Sequence, residues 1–252
     1  MIYQYVLLNL KPDEDTLSAT LLQGVVKDNS VSLDDIRKKF GKNVFDLLDG
    51  IKKLEAIKSR VKESEVETLQ KMFLAIAKDL RVVLIKLAGR LVSLRTLEFV
   101  DVEKQKQVAR ETMDVYVPVA SRLGVYNIKS QMEDLAFKYL YPGQYNNIFY
   151  QLTSFGVSKS AVIDEIRGEL KEFLAANGVK AEVDGRLKGV SSIYRKLKKK
   201  SRTSVDEIFD IFAMRIVLPT RSQGSVESYE SLYSVLGLIH SKWVPLANRF
   251  KD

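Results

Sequence analysis

The sequence predicts an α+β protein, an all-helical first part followed by a shorter β-α-β-α run. Three observations lead there. From Thr16 to about Pro142 apolar residues recur at spacings of three and four, the repeat of helices that bury one stripe. Beyond Gly178 the pattern switches, with Val179 to Val183 alternating like a strand and Ala213 to Leu218 reading as a buried strand. The composition, 252 residues with 46% hydrophobic and 29% charged, is that of a folded chain with one large or two modest domains.

The elements follow in order. Ser32, before Leu33-Asp34-Asp35-Ile36, is a helix N-cap with two acids in the favourable first turn. Gly41 is a stop after Lys38-Lys39-Phe40, and Val44, Leu47, Leu48 and Ile51 mark the next stripe. Leu74 to Leu97 predicts one or two helices at a bundle centre. Pro118 starts or kinks a helix within Tyr116 to Leu123, and Gly124 ends it. Ile128, Met132, Leu135 and Tyr139 form a stripe stopped by Tyr141-Pro142-Gly143, and a long amphipathic stretch runs from Tyr145 to Asn177. Gly185 is expected to break the first strand. Val190, Ile193, Tyr194 and Leu197 give a helical stripe, Pro219 ends the second strand, and Ser222 to Ser228 reads as loop. Tyr229 to Ile239 is a final helix with Tyr229 and Tyr233 in its core face.

Charge and composition narrow the function. The net charge of +8 points to an anionic partner, and eight Lys or Arg with no acid lie between Arg186 and Arg202. Absence of cysteine excludes a disulfide framework, a thiolate nucleophile and a thiolate metal site. No run approaches 18 apolar residues and the first residues lack a basic leader, so no membrane span and no secretory signal are expected, and a cytoplasmic location fits.

Arg186 and Lys188, two apart, share a face of a strand, and Ser192 and Lys196, four apart, share a face of the helix after it. A helix N-terminus bearing a hydroxyl, with cations either side, suits a triphosphate, although the same spacing fits a solvated basic face. Lys198-Lys199-Lys200 points around the helix and cannot all meet one ligand. Asp210, in the apolar run before the second strand, needs a partner if buried. A divalent metal and Arg215 are the two candidates.

Gly185-Arg186-Leu187-Lys188-Gly189-Val190-Ser191-Ser192-Ile193-Tyr194-Arg195-Lys196 and Phe209-Asp210-Ile211-Phe212-Ala213-Met214-Arg215-Ile216 resemble the synthetase domain of the RelA/SpoT family. Tyr233 to His240 and Arg249-Phe250-Lys251-Asp252 continue the likeness in order. Leu21-Leu22-Gln23-Gly24-Val25-Val26-Lys27-Asp28 and Ile85 to Leu97 resemble metal-site helices of that family's hydrolase domain. The resemblance implies an HD-type helical bundle over residues 1–125, a helical connector over 126–177, and the first part of a nucleotidyltransferase-like mixed-sheet domain over 178–252. It implies transfer of pyrophosphate from ATP to the 3′-hydroxyl of GTP or GDP, making (p)ppGpp in the stringent response. Arg186, Lys188, Ser192, Lys196 and Arg215 would bind ATP, with Lys196 and Asp210 catalytic and Asp210 a Mg²⁺ ligand. Arg249, Lys251 and Asp252 would belong to an acceptor-side motif.

The departures are as informative. The family's metal-binding His-Asp pair is here Gln23-Gly24, and its distant Asp is Gly89. Neutral amide and glycine hold a hard dication poorly, so no Mn²⁺ and no hydrolysis are expected. The sole histidine, His240, reads as a helix-end or packing residue. The usual His after Lys188 is Gly189, and the Tyr two positions later is Ser191. The family's guanine-stacking Tyr and a second metal-binding Glu would fall beyond Asp252, so the acceptor site is expected to be incomplete in this chain, either as a natural truncation or as a fragment of a longer synthetase. Rival readings are a non-catalytic nucleotide-binding or regulatory remnant, and an RNA-binding module. Nucleic acid is disfavoured because no aromatics interleave the basic run. No ribosome contact is expected of this stretch.

Overall fold

Helix α1 (Glu14–Lys27) starts where Asp13, in extended backbone, accepts the Thr16 amide at 2.8 Å. The structure, a computed structural model, describes residues 12–28, 30–58, 78–154, 159–199, 201–202, 204–208, 211–219 and 226–246. Ser32 caps α2 (Leu33–Lys58), its Oγ accepting the Asp35 amide at 3.1 Å, as its sequence predicts. Gly41, at φ 88° and ψ 177°, is non-helical and stops the first of the two helical segments that α2 comprises, as its sequence predicts. Asp79 caps α3 (Leu80–Arg95) through the Arg81 amide. A short 3₁₀ turn leads to α4 (Val102–Glu111), capped by Asp101.

Pro118 cannot donate to the turn before it, and the chain takes a π turn over Thr112–Tyr116 before α5 (Val117–Arg122). Gly124, at φ 70°, reverses the chain into α6 (Tyr126–Leu140). Pro142 opens α7 (Pro142–Ser154) at the position where a missing N–H costs nothing. Within the amphipathic stretch beyond lie the rest of α7 and α8 (Lys159–Ala176). Then come β1 (Glu182–Leu187), α9 (Val190–Lys199), a 3₁₀ turn, β2 (Phe212–Val217) and α10 (Val226–Lys242).

The chain divides into two units, one drawn from Met1–Phe149 with Gly189–Arg195, the other from Tyr150–Lys188 with Lys196–Asp252. In the first, α3 is apolar almost all round and serves two cores. Val82 and Ile85 pack with Ala19 of α1 and Val44, Leu47, Leu48 and Ile51 of α2. Leu87, Leu91 and Leu94 pack with Val115, Val119, Ile128 and Met132. This is the bundle centre the apolar spacing predicts.

In the second unit, β1 and β2 pair antiparallel, Glu182 opposite Val217 through Leu187 opposite Phe212. Four expectations need correction here. Gly185 does not break β1. It pairs with Met214 inside it, where a Cβ would stand 2.7 Å from Ile163 Cγ2 and 2.8 Å from Met214 Sδ, so α8 lies close over a strand position only glycine fits. β2 is alternately exposed instead of buried, since one face of the pair carries the core of Val183, Met214 and Ile216 with Leu170, Leu174 and Val235. The helix expected from Tyr229 begins at Val226, within the predicted loop. Tyr229 and Tyr233 are 59% and 54% exposed, because Val235, Leu238 and Ile239 supply its packed face.

Candidate functional site

β1 alternates, with Glu182, Asp184 and Arg186 on its exposed face and Val183 buried on the other. The Lys188 amide donates to the Ile211 carbonyl at 2.8 Å, one step past the strand, which carries the ladder and its alternation to Lys188. Arg186 and Lys188 thus share a face, as their spacing predicts. Across the ladder from Asp184, Arg215 reaches its carboxylate at 3.3 Å on that same face, both residues well exposed. The described partner of Arg215 is therefore Asp184. Asp210 lies outside the described residues, as do Arg249, Lys251 and Asp252.

In α9, Val190, Ile193 and Leu197 are buried and Tyr194 half-buried, which leaves Ser192 and Lys196 one turn apart on another face. Lys198 and Lys199 are exposed, as a solvated run should be.

The start of α9 holds what the sequence reading missed. The Ser191 amide donates to Asp134 Oδ1 of α6 at 2.9 Å, and the Val190 amide also faces that carboxylate. Burial pushes the Asp134 carboxyl up, while the Ser191 and Val190 amides oppose the shift and Glu133 adds to it. Gly189 has no room for a side chain, because a Cβ there would collide with Asp134. Beside it Glu133, 3% exposed, takes the fork of Arg195 at 3.1 and 3.2 Å, and Lys129 at 3.4 Å. The Phe137 and Tyr194 rings lie 4.8 Å apart. The one available signal was the pair of adjacent acids, Glu133-Asp134, on the border of the stripe containing Met132, Leu135 and Tyr139.

In the helical part, Gln23 sits on α1 with its side-chain amide donating to the Thr20 carbonyl at 3.0 Å. Gly24 follows it, with open space where a Cβ would be. Gly89 lies in α3, its carbonyl accepting the Ser93 hydroxyl at 3.0 Å. Among the described residues no group of three or more His, Asp or Glu could hold a metal ion. One amide and two glycines at these positions offer no charged ligand. Among the described residues, too, no helix is long and apolar enough to cross a membrane.

Comparison with known proteins supplies the frame. Residues 3–126 match the HD domain model, and residues 185–252 match the region found in RelA/SpoT proteins. Guanosine-3′,5′-bis(diphosphate) 3′-pyrophosphohydrolase of Vibrio cholerae is 38% identical over 98% of this chain and 34% of its own length. GTP pyrophosphokinase of Myxococcus xanthus is 37% identical over 98% of this chain and 32% of its own. The bifunctional (p)ppGpp synthase/hydrolase SpoT of Escherichia coli is 36% identical over 98% and 34%. The chain spans about a third of the length of these relatives. With an HD domain and a RelA/SpoT region in that order, and such identity along nearly every residue, the chain belongs to the RelA/SpoT family.

Proposed function

We propose that this stretch carries the donor-nucleotide half of a (p)ppGpp synthetase, acting in the cytoplasm. Arg186, Lys188, Ser192 and Lys196 bind the ATP phosphates, and Asp210 would be the ligand of a Mg²⁺ that offsets their charge. In the reaction the 3′-oxygen of GTP or GDP attacks the β-phosphorus of ATP. The bond from that phosphorus to the α–β bridging oxygen breaks, AMP leaves, and the 3′-hydroxyl gives up its proton. Little covalent chemistry falls to the protein, so cations that hold the phosphates and offset their charge account for the rate.

The observation carrying this reading is the alternation of β1, which sets Arg186 and Lys188 on the face away from the core. Relatives named GTP pyrophosphokinase support it. Arg215 joins that face but holds Asp184, so it contributes charge to the cradle only together with that carboxylate. Hydrolysis is not part of the proposal, because Gln23, Gly24 and Gly89, none of them a charged ligand, stand where the family resemblance implies the metal ligands.

Calorimetry with Mg²⁺-ATP tests the reading. Arg186→Ala or Lys196→Ala should each weaken binding by about 1–3 kcal/mol, the scale of one charge-assisted hydrogen bond. Undiminished affinity in both variants would refute the cradle. Manganese-dependent release of pyrophosphate from ppGpp would refute the loss of hydrolysis.

A further inference from the structure

A helix N-terminus bears roughly half a positive charge and several unpaired amides, so it takes an anion from whatever source is nearest. In α9 that anion is already part of the protein. Asp134 Oδ1 accepts the Ser191 amide at 2.9 Å, and the absent Cβ of Gly189 leaves the space its carboxylate fills. Two further contacts from the same stretch of α6 fix the helix in rotation. Glu133 grips Arg195 through both carboxylate oxygens, and Phe137 packs on Tyr194. Residues 133, 134 and 137 therefore hold three places within little more than one turn of α9, at 191, 194 and 195. What they leave uncovered by acid at its start is the flank bearing Ser192, whose Oγ accepts Arg195 at 3.3 Å.

We propose that Asp134 is a positioning residue for nucleotide binding. It fills the N-terminus of α9, so a bound polyphosphate is met by side chains of that helix and not by its first amides. The inference rests on the synthetase reading above. A second anion at the same amides would meet Asp134 head-on, with Glu133 one residue away, and would be repelled by both. Around the carboxylate stand Glu133 on its own helix, the Val190 amide and the Ser191 amide and side chain of α9, and Tyr145 of α7, whose phenol is raised by burial and by Asp134 itself. The nearby cation Arg195 is committed to Glu133 and Ser192.

The test uses the full chain and three variants, Asp134→Ala, Asp134→Asn and Gly189→Ala. Amide hydrogen exchange across residues 189–195 reads the cap, and calorimetry reads Mg²⁺-ATP. Asparagine also caps helices, so Asp134→Asn should keep both the slow exchange and the ATP affinity within about two-fold. Asp134→Ala, and Gly189→Ala by displacing the carboxylate, should speed exchange and weaken ATP by about ten-fold. Tighter ATP binding by Asp134→Ala would overturn the proposal, since phosphates would then be using the amides. So would unchanged affinity in folded Asp134→Ala, which would leave a structural cap only. Failure of the unmodified chain to bind ATP would instead defeat the synthetase reading itself, and with it this role. Should Asp134→Ala not fold, Gly189→Ala against Asp134→Asn decides the matter alone.

Discussion

Asp13 joins Arg81 across 68 residues of sequence, its Oδ2 2.7 Å from the guanidinium while its Oδ1 caps α1. The same guanidinium holds Asp79, the cap of α3, at 2.7 Å. One arginine thus ties together the starts of two helices.

This sets the acid limb of stability. The Asp13 carboxyl is held below its usual value by Thr16 first and then Arg81, and that of Asp79 by Arg81. Groups with depressed folded values stabilise above the unfolded value, near 3.8, and lose that contribution as pH falls through the folded one. Asp79→Asn should lower the melting temperature by a few degrees at pH 7, on the scale of about 1 kcal/mol for a cap with partly exposed partners. In melts taken from pH 7 downward, the gap to the parent should begin to narrow only below about 4. A constant gap throughout would place the loss elsewhere.

Asp134 behaves in the opposite sense. Burial raises its folded value, so the native state binds the proton more tightly than the unfolded chain does. Stability should therefore fall as pH rises from about 4 through the folded value, and level off above it. Asp134→Asn should remove that descent and gain on the parent between pH 4 and 7. Urea melts across this range measure it, and parallel curves would show that the carboxyl titrates normally.

Much of this was legible in sequence, for reasons that differ by residue. The caps at Ser32 and Gly124 depend on neighbours within a few positions, so a short window reveals them. The face shared by Arg186 and Lys188 follows from strand geometry alone. Gly185 misled because its role is set by Ile163 and Met214, which only the tertiary fold brings over it. Tyr229 and Tyr233 fit an amphipathic stripe as well as their neighbours do, and spacing cannot say which of two adjoining stripes is packed. Asp134 escaped because its partner lies 57 residues away.

The ion pair at Glu133 should break unequally. Arg195 is 56% exposed and finds water when Glu133 is removed, whereas Arg195→Ala leaves a carboxylate of 3% exposure with Lys129 alone at 3.4 Å. Arg195→Ala should cost about 1–3 kcal/mol and Glu133→Gln less, by denaturant titration. The reverse order would show that packing at 133 outweighs charge.

Gly185→Ala should destabilise the second unit by about 1–3 kcal/mol, since Ile163 and Met214 must yield to the new methyl. Hydrogen exchange confined to β1, β2 and α8 would locate the effect. Exchange spread evenly over α1 to α6 would contradict it.

The first unit is discontinuous in sequence, since it includes Gly189–Arg195. Its last ion pair, Glu133 to Arg195, spans 62 residues. On a translating ribosome making roughly 5–20 residues per second, α6 therefore emerges several seconds before its partner exists. Through that interval the Glu133 and Asp134 side chains stay hydrated, and a nascent chain halted before residue 195 would carry a helical unit still missing its final turn.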